Sequence, residues 1–187
     1  MGIMELVLAS QSPRRSQLLR NAGFHFRVRA RPVEEVRSPG ETPLDYAVRL
    51  ARDKAGAAWE NAEEVVLGAD TIVVLEESVL EKPRDAADAR AMLAALSGRE
   101  HWVITGICLR HRKGEILDSA STRVRFAHLD AREIDEYVDS GEPMDKAGAY
   151  AIQGLGSKFV EGIEGCFFNV VGLPVPKVYR HLRPLLA

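Results

Sequence analysis

The sequence predicts an α/β fold on a mixed sheet, and three observations carry that expectation. Strand-length apolar runs are followed directly by helical patterns, as in Glu5–Ser10 and then Pro13–Ala22. The run Val65–Leu75, "VVLGADTIVVL", is almost continuously apolar, as befits a strand covered on both faces. The stretches "HWVITGICLRH" and "EILDSASTRVRF" flank Arg112-Lys113-Gly114 as an antiparallel hairpin, which a purely parallel sheet would not contain. At 187 residues the chain can bury a substantial core. It shows no repeat, low-complexity tract or dividing linker, so one domain over residues 1–187 is expected.

The elements follow in chain order. Ser12 is an N-cap with Pro13 in the first turn of a helix that stops at Gly23 after Asn21-Ala22. "FHFRVRARP" alternates like an edge strand ending at Pro32, and "PVEEVRSPGE" reads as an exposed loop. Thr42 caps a second helix with Pro43 at its first position and a stripe of Leu44, Ala47, Val48, Ala51 and Ala55 that ends near Trp59. After the apolar strand, "ESVLEKP" is its hairpin partner. "RDAADARAMLAALSG" is a helix stopped by Ser97-Gly98. Asp130 and Glu133 have capping-box spacing for a short helix through Asp139. The last third is glycine-rich and irregular, and a closing helix starts near Leu173-Pro174.

Composition excludes several function classes. With 46% hydrophobic and 28% charged residues and a formal net charge of −2, nothing attracts the chain generally to nucleic acid or an anionic membrane. No stretch approaches a membrane span and no signal peptide is evident, so a cytoplasmic location is expected. Cys108 and Cys166 lie far apart without ligand spacing and read as packing residues. His25, His101, His111, His128 and His181 show no ligand spacing and read as structural. There is no phosphate-binding G-x-x-x-x-G-K-[ST], since "GLGSK" is too short, and no dinucleotide or G-x-S-x-G motif. "ADTIVV" lacks the second aspartate of an aspartyl-phosphate phosphatase, Gly68 standing in its place.

Two anomalies remain. Arg14 and Arg15 sit in the first turn of a helix, where the macrodipole makes each cation unfavourable by roughly 0.3–1 kcal/mol until an anion reverses the sign. Being adjacent, they point about 100° apart, so that one can grip phosphate while the other braces a carboxylate. The second anomaly is Asp70, a charge inside an apolar strand. Either the strand breaks at Gly68 and Asp70 is a solvated turn residue, or Asp70 is a carboxylate at a strand end facing a cleft; the second reading is favoured. An isolated buried carboxylate requires a cation, a metal or several donors. Lys54, at the border of the second helix's apolar face, and Lys82, at the end of the hairpin, are candidate cations. Glu34 and Glu35 are acidic loop residues. A second carboxylate near Asp70 suits Mg²⁺ or Mn²⁺ bridging phosphate oxygens.

Together "LVLASQSPRRSQLL", "GADTIV", "LEKP", "LSGREH", "SGEPMDKAGAYAIQGLG" and "FFNVVGLP" resemble the Maf (septum formation) family of nucleoside triphosphate pyrophosphatases over nearly the whole chain. The resemblance implies a fold like that of the inosine triphosphate pyrophosphatases, with two lobes flanking a cleft. It implies hydrolysis of a nucleoside triphosphate to monophosphate and pyrophosphate with a divalent cation. By motif, Ser10 to Arg15 form the phosphate-binding loop, Asp70 is the proton acceptor, and Glu34, Lys54 and Lys82 line the same site, with Glu34 and Asp70 as metal carboxylates. The positions of Ser12, Thr71 and Gln153 distinguish base preference, and "AIQG" looks like the branch acting on dTTP and UTP. A glutamine amide matches the N3–H and O4 edge of thymine or uracil, although a flipped amide also accepts cytosine. The alternatives are a pyrophosphatase directed at 7-methylguanosine triphosphate or purines, and a non-catalytic nucleotide sensor regulating division. The resemblance is compatible with a homodimer.

Overall fold

A computed structural model describes residues 4–186. Its strands are β1 (Glu5–Leu8), β2 (Arg27–Val28), β3 (Glu64–Leu75), β4 (Ser78–Leu80), β5 (Glu100–His111), β6 (Gly114–Phe126) and β7 (Val160–Glu164). Its α-helices are α1 (Pro13–Asn21), α2 (Pro43–Ala58), α3 (Ala86–Leu96), α4 (Ala131–Asp139), α5 (Phe167–Val171) and α6 (Val175–Leu186). The strands hydrogen-bond in the order β2-β1-β3-β5-β6-β7, with β4 on β3. β1 runs parallel to both β2 and β3, whereas β4 and β7 pair antiparallel with β3 and β6, so the sheet is mixed. Among the described residues no helix is long and apolar enough to cross a membrane.

The chain divides into two compact units, one holding residues up to Thr71, Thr105–Ala120 and the segment from Gly172 onward, the other Ile72–Ile104 and Ser121–Val171. Three of the divisions fall inside β3, β5 and β6, and the fourth directly follows α5. In the first unit, Val7 and Ala9 of the β1 segment pack with Ala51, Ala55 and Ala58 of α2, Val66 and Cys108. The alanines let the helix backbone come close, and two glycines complete the approach. A Cβ on Gly68 would stand 2.0 Å from the Ala51 carbonyl oxygen, and one on Gly106 2.3 Å from that of Ala47. In the second unit, Leu93, Leu96, Phe126, Tyr137, Tyr150 and Phe159 belong to one core cluster. His101 lies edge-on to Phe126 and bonds the Tyr150 hydroxyl at 2.8 Å through Nε2. Burial pulls its pKa down to about 4, so it is neutral at physiological pH.

The caps are where the side chains require them. Ser12, Thr42, Asp85 and Asp130 each accept a first-turn backbone N–H, and Glu133 closes a capping box with Asp130. Three expectations need correction. The edge strand expected over residues 24–32 shrinks to Arg27–Val28. Phe24 turns toward the Tyr179 ring and Phe26 lies under the Arg20 guanidinium, so helix contacts override the alternation there. β3 does not end near Asp70 but runs unbroken through Gly68 and Asp70 to Leu75, because Gly68 is used for close helix approach rather than for a turn. β7 and α5 went unforeseen in the last third, where Gly162, Gly165 and Gly172 mask the local pattern.

Candidate active site

Asp70 is a mid-strand residue only 7% exposed. Alternate residues of a strand share a face, so Asp70 looks the same way as Gly68, toward α2. The contact of Gly68 with the Ala51 backbone brings the next turn of α2 alongside, and Lys54 meets the acid there. Its Nζ donates to Asp70 Oδ1 at 2.6 Å and also lies 2.7 Å from Glu35 Oε1. Both side chains of the Lys54–Asp70 pair are largely buried, at 15% and 11% exposure. Removing one partner of such a pair normally costs about 3–5 kcal/mol, because it strands a buried charge. Here Glu35 would still face the ammonium if Asp70 were neutralised.

The arginine pair divides its labour differently from the sequence expectation. Among the described residues Arg15 braces no carboxylate by direct hydrogen bond. Its Nε donates to the Gly172 carbonyl at 2.8 Å, and its terminal nitrogens donate to Ser10 Oγ at 3.1 Å and Thr71 Oγ1 at 2.9 Å. Thr71 Oγ1 also donates to the Gly172 carbonyl and meets Thr105 Oγ1 at 2.9 Å. The guanidinium therefore ties the strand-to-helix turn after β1 to β3 and the segment leading to α6, and Thr71 in turn meets Thr105 of β5. Burial lowers its proton affinity; Asp70 raises it, Arg14 lowers it and Glu35 raises it, leaving it below the ordinary arginine value but charged. Arg14 is half-buried in the first turn of α1.

Ser10 is buried and its Oγ accepts the Ser12 N–H at 3.2 Å as well as Arg15. Ser12 Oγ caps α1 by accepting from the Arg15 N–H. Glu34 is exposed on the loop beside Val33, Val36, Arg37 and Arg49, and Glu35, its neighbour, takes Lys54. Both acids are candidates from the sequence, with Glu34 the one assigned by motif; it is Glu35 that meets Lys54, a contact that a loop without periodicity does not announce. Thr105 and the Gly172 carbonyl had no local signal at all. In the second unit, Lys82 is exposed two residues beyond β4, and Gln153 is exposed in the segment between two 3-10 turns, Ala147–Ala149 and Leu155–Phe159.

The fold and these residues define a mixed α/β protein with a buried acid–lysine pair between strand β3 and helix α2 and a cation-rich turn opening its first helix. The chain belongs to the Maf family: the model of that family, described as Maf-like protein, matches residues 5–185. A protein named dTTP/UTP pyrophosphatase from Koribacter versatilis is 55% identical over 181 residues, covering 96% of this chain and 94% of its own length. Proteins of the same name from Anaeromyxobacter sp. and Vibrio cholerae are 54% and 52% identical, covering 95% and 94% of this chain and 88% and 95% of their own. A solved nucleoside-triphosphatase / dITP/XTP pyrophosphatase from Mycobacterium abscessus aligns with 98% of this chain and 99% of its own at 16% identity and TM-score 0.45.

Proposed function

We propose that this chain hydrolyses nucleoside triphosphates, dTTP and UTP in preference, to the monophosphate and pyrophosphate. The observation that carries the reading is the near-full-length identity, 52–55%, to proteins bearing the name dTTP/UTP pyrophosphatase. The geometry of the first unit suits the chemistry. Asp70 accepts the proton of a water attacking the α-phosphorus, and Lys54 holds that carboxylate in place through its bond to Oδ1. Arg14, at the positive end of the α1 dipole, takes phosphate oxygens, a role the dipole favours for an anion placed there. Arg15 and Ser10 hold that turn in place rather than moving with the ligand. Lys82 serves as a further phosphate cation.

Asp70 and Glu35 supply two carboxylates, and a Mg²⁺ or Mn²⁺ ion takes such a pair together with phosphate and water oxygens. Glu35 joins Glu34 as a candidate for that role, because Glu35 and Asp70 meet the same Lys54 ammonium. When bound, the ion polarises phosphate oxygens and offsets charge on the departing pyrophosphate. The hydroxyl oxygens of Ser12 and Thr71 are engaged in the helix cap and the Arg15 brace, so base discrimination falls to Gln153. Its amide matches the N3–H and O4 of thymine and uracil. Acting on nucleotide pools places the enzyme in the cytoplasm.

The test is pyrophosphate release in Mg²⁺ buffer from dTTP, UTP, CTP and 7-methylguanosine triphosphate, assayed side by side. Faster turnover of the methylated purine overturns the preference, and tight binding without release overturns the catalysis. Asp70→Asn should lower kcat by about 10²–10⁴-fold with an unchanged circular dichroism spectrum. Turnover near that of the unsubstituted protein would mean that another group activates the water.

A further inference from the structure

The segment that carries Gln153 is irregular, and it contains backbone conformations that need outside support. Ala149 sits at φ 59°, a left-handed value unusual for a residue with a side chain. Gly154 adopts φ 88° and ψ −151°, a region essentially confined to glycine. Such geometry persists only where surrounding groups over-determine it. Two side chains bonded to each other hold the flanks of Gln153, Tyr137 on one side and Glu142 on the other.

On the N-terminal flank, the Ala151 N–H donates to the Tyr137 hydroxyl oxygen at 3.2 Å. On the C-terminal flank, the Leu155 and Gly156 N–H groups donate to Glu142 Oε2 and Oε1 at 3.0 and 3.1 Å. The Tyr137 hydroxyl closes the circuit by donating to Glu142 Oε1 at 2.9 Å. Tyr137 is fixed in turn by burial on α4. The Glu142 backbone is fixed as well, its N–H on Ser140 Oγ and its carbonyl on Lys146 Nζ. The packing leaves no slack: a Cβ on Gly154 would stand 2.6 Å from Glu142 Oε2, and one on Gly156 2.7 Å from the Tyr137 hydroxyl. Both ends are clamped while Gln153, between them, stays exposed.

We infer that Glu142, with Tyr137, is a positioning residue that sets base discrimination by holding the Gln153 loop in one conformation. The inference rests on the reading that Gln153 meets the base edge. A glutamine amide tells uracil from cytosine only if its oxygen and nitrogen cannot exchange places, since the two bases present reversed donor and acceptor patterns. A loop free to shift lets the amide satisfy either base. The clamp's energy is therefore directed at selectivity. Burial of the Glu142 carboxyl opposes ionisation; the two backbone N–H groups, the Tyr137 hydroxyl and Lys146 outweigh it, and the acid stays charged with its pKa below the ordinary glutamate range.

Glu142→Gln keeps the volume but turns one acceptor into a donor facing an N–H, so at least one loop bond is lost. Tyr137→Phe releases Ala151 and leaves both backbone bonds to Glu142. The measurements are kcat/KM for UTP and CTP, the melting temperature, and amide hydrogen exchange at Ala151, Leu155 and Gly156 without nucleotide. The unsubstituted protein should favour UTP. Glu142→Gln should lower the UTP:CTP ratio by about tenfold, mainly through KM for UTP, and raise exchange at Leu155 and Gly156 by about as much. Tyr137→Phe should do less of both. Unchanged exchange in folded Glu142→Gln overturns the clamp. Raised exchange with an unchanged ratio overturns its role in discrimination. If Glu142→Gln does not fold, Tyr137→Phe decides by the same two readings. Failure of the unsubstituted protein to turn over UTP overturns the proposed function instead, and the exchange data still judge the clamp.

Discussion

Arg15 in the first unit and Glu142 in the second are both ions pinned mainly by neutral dipoles, yet they stabilise opposite kinds of structure. Arg15 donates to two hydroxyls and a carbonyl contributed around regular strands and the first helix. Glu142 accepts from two backbone N–H groups and a phenol in a stretch of 3-10 turns. In the first case the sheet and helices already define the geometry, and the ion fastens their ends together. In the second, little regular structure exists and the ion itself imposes the conformation. The two also differ in what can undo them: an arginine keeps its charge at any pH a protein survives, whereas a glutamate does not.

The strongest challenge to this contrast is Gly68→Ala. If the first unit owes its precision to regular packing, a methyl placed 2.0 Å from the Ala51 carbonyl must push α2 off β3 and separate Lys54 from Asp70. The expected cost is about 3 kcal/mol or more by chemical denaturation, with turnover lost in parallel. A variant of normal stability and activity would show that helix position does not depend on this contact. Next in size, Arg15→Ala should destabilise by about 2–3 kcal/mol, because it removes a charged donor from buried oxygens. Its neighbour gives the comparison: Arg14→Ala should cost the apo protein less than Arg15→Ala while weakening triphosphate binding, as the adverse dipole interaction goes with the charge. Equal losses from both arginines would deny them separate roles. The smallest expected effect separates the regions by pH. Because the folded state lowers the pKa of Glu142, its stabilisation is complete above the ordinary glutamate range and is lost as pH falls through the depressed value. Amide exchange at Leu155 and Gly156, taken relative to the intrinsic rate at each pH, should rise on acidification before exchange in β1 and β3 does. Simultaneous rises would mean that the loop has no separate clamp.

The residues readable in advance share a property. Ser12, Thr42 and Asp130 cap helices through bonds to residues three positions away, so the cap, the helix start and even the Asp130–Glu133 box are contained within short windows. The anomaly of Asp70 was also legible, since an ionised group in an apolar strand requires a partner whatever the fold. The identity of that partner was harder. Lys54 was a candidate because it borders the apolar face of α2, yet nothing local distinguishes Glu35 from Glu34. The irregular segments escaped for the opposite reason: β7 pairs with a strand some forty residues earlier, Arg123 opposite Glu164, and glycines hide its alternation.

The sequence alone determined the order and ends of most elements, the mixed character of the sheet and the family, because these depend on periodicity, caps and motifs within a few residues. Only the tertiary structure decided that β3 continues through Asp70, that Arg15 is a brace, that Glu35 meets Lys54, and that Glu142 grips the Gln153 loop. Each of those is a hydrogen bond or a close approach between groups far apart in the chain or on irregular backbone. Such partners are chosen by how helices seat on the sheet and by which glycines let them seat there, and no local pattern encodes that choice.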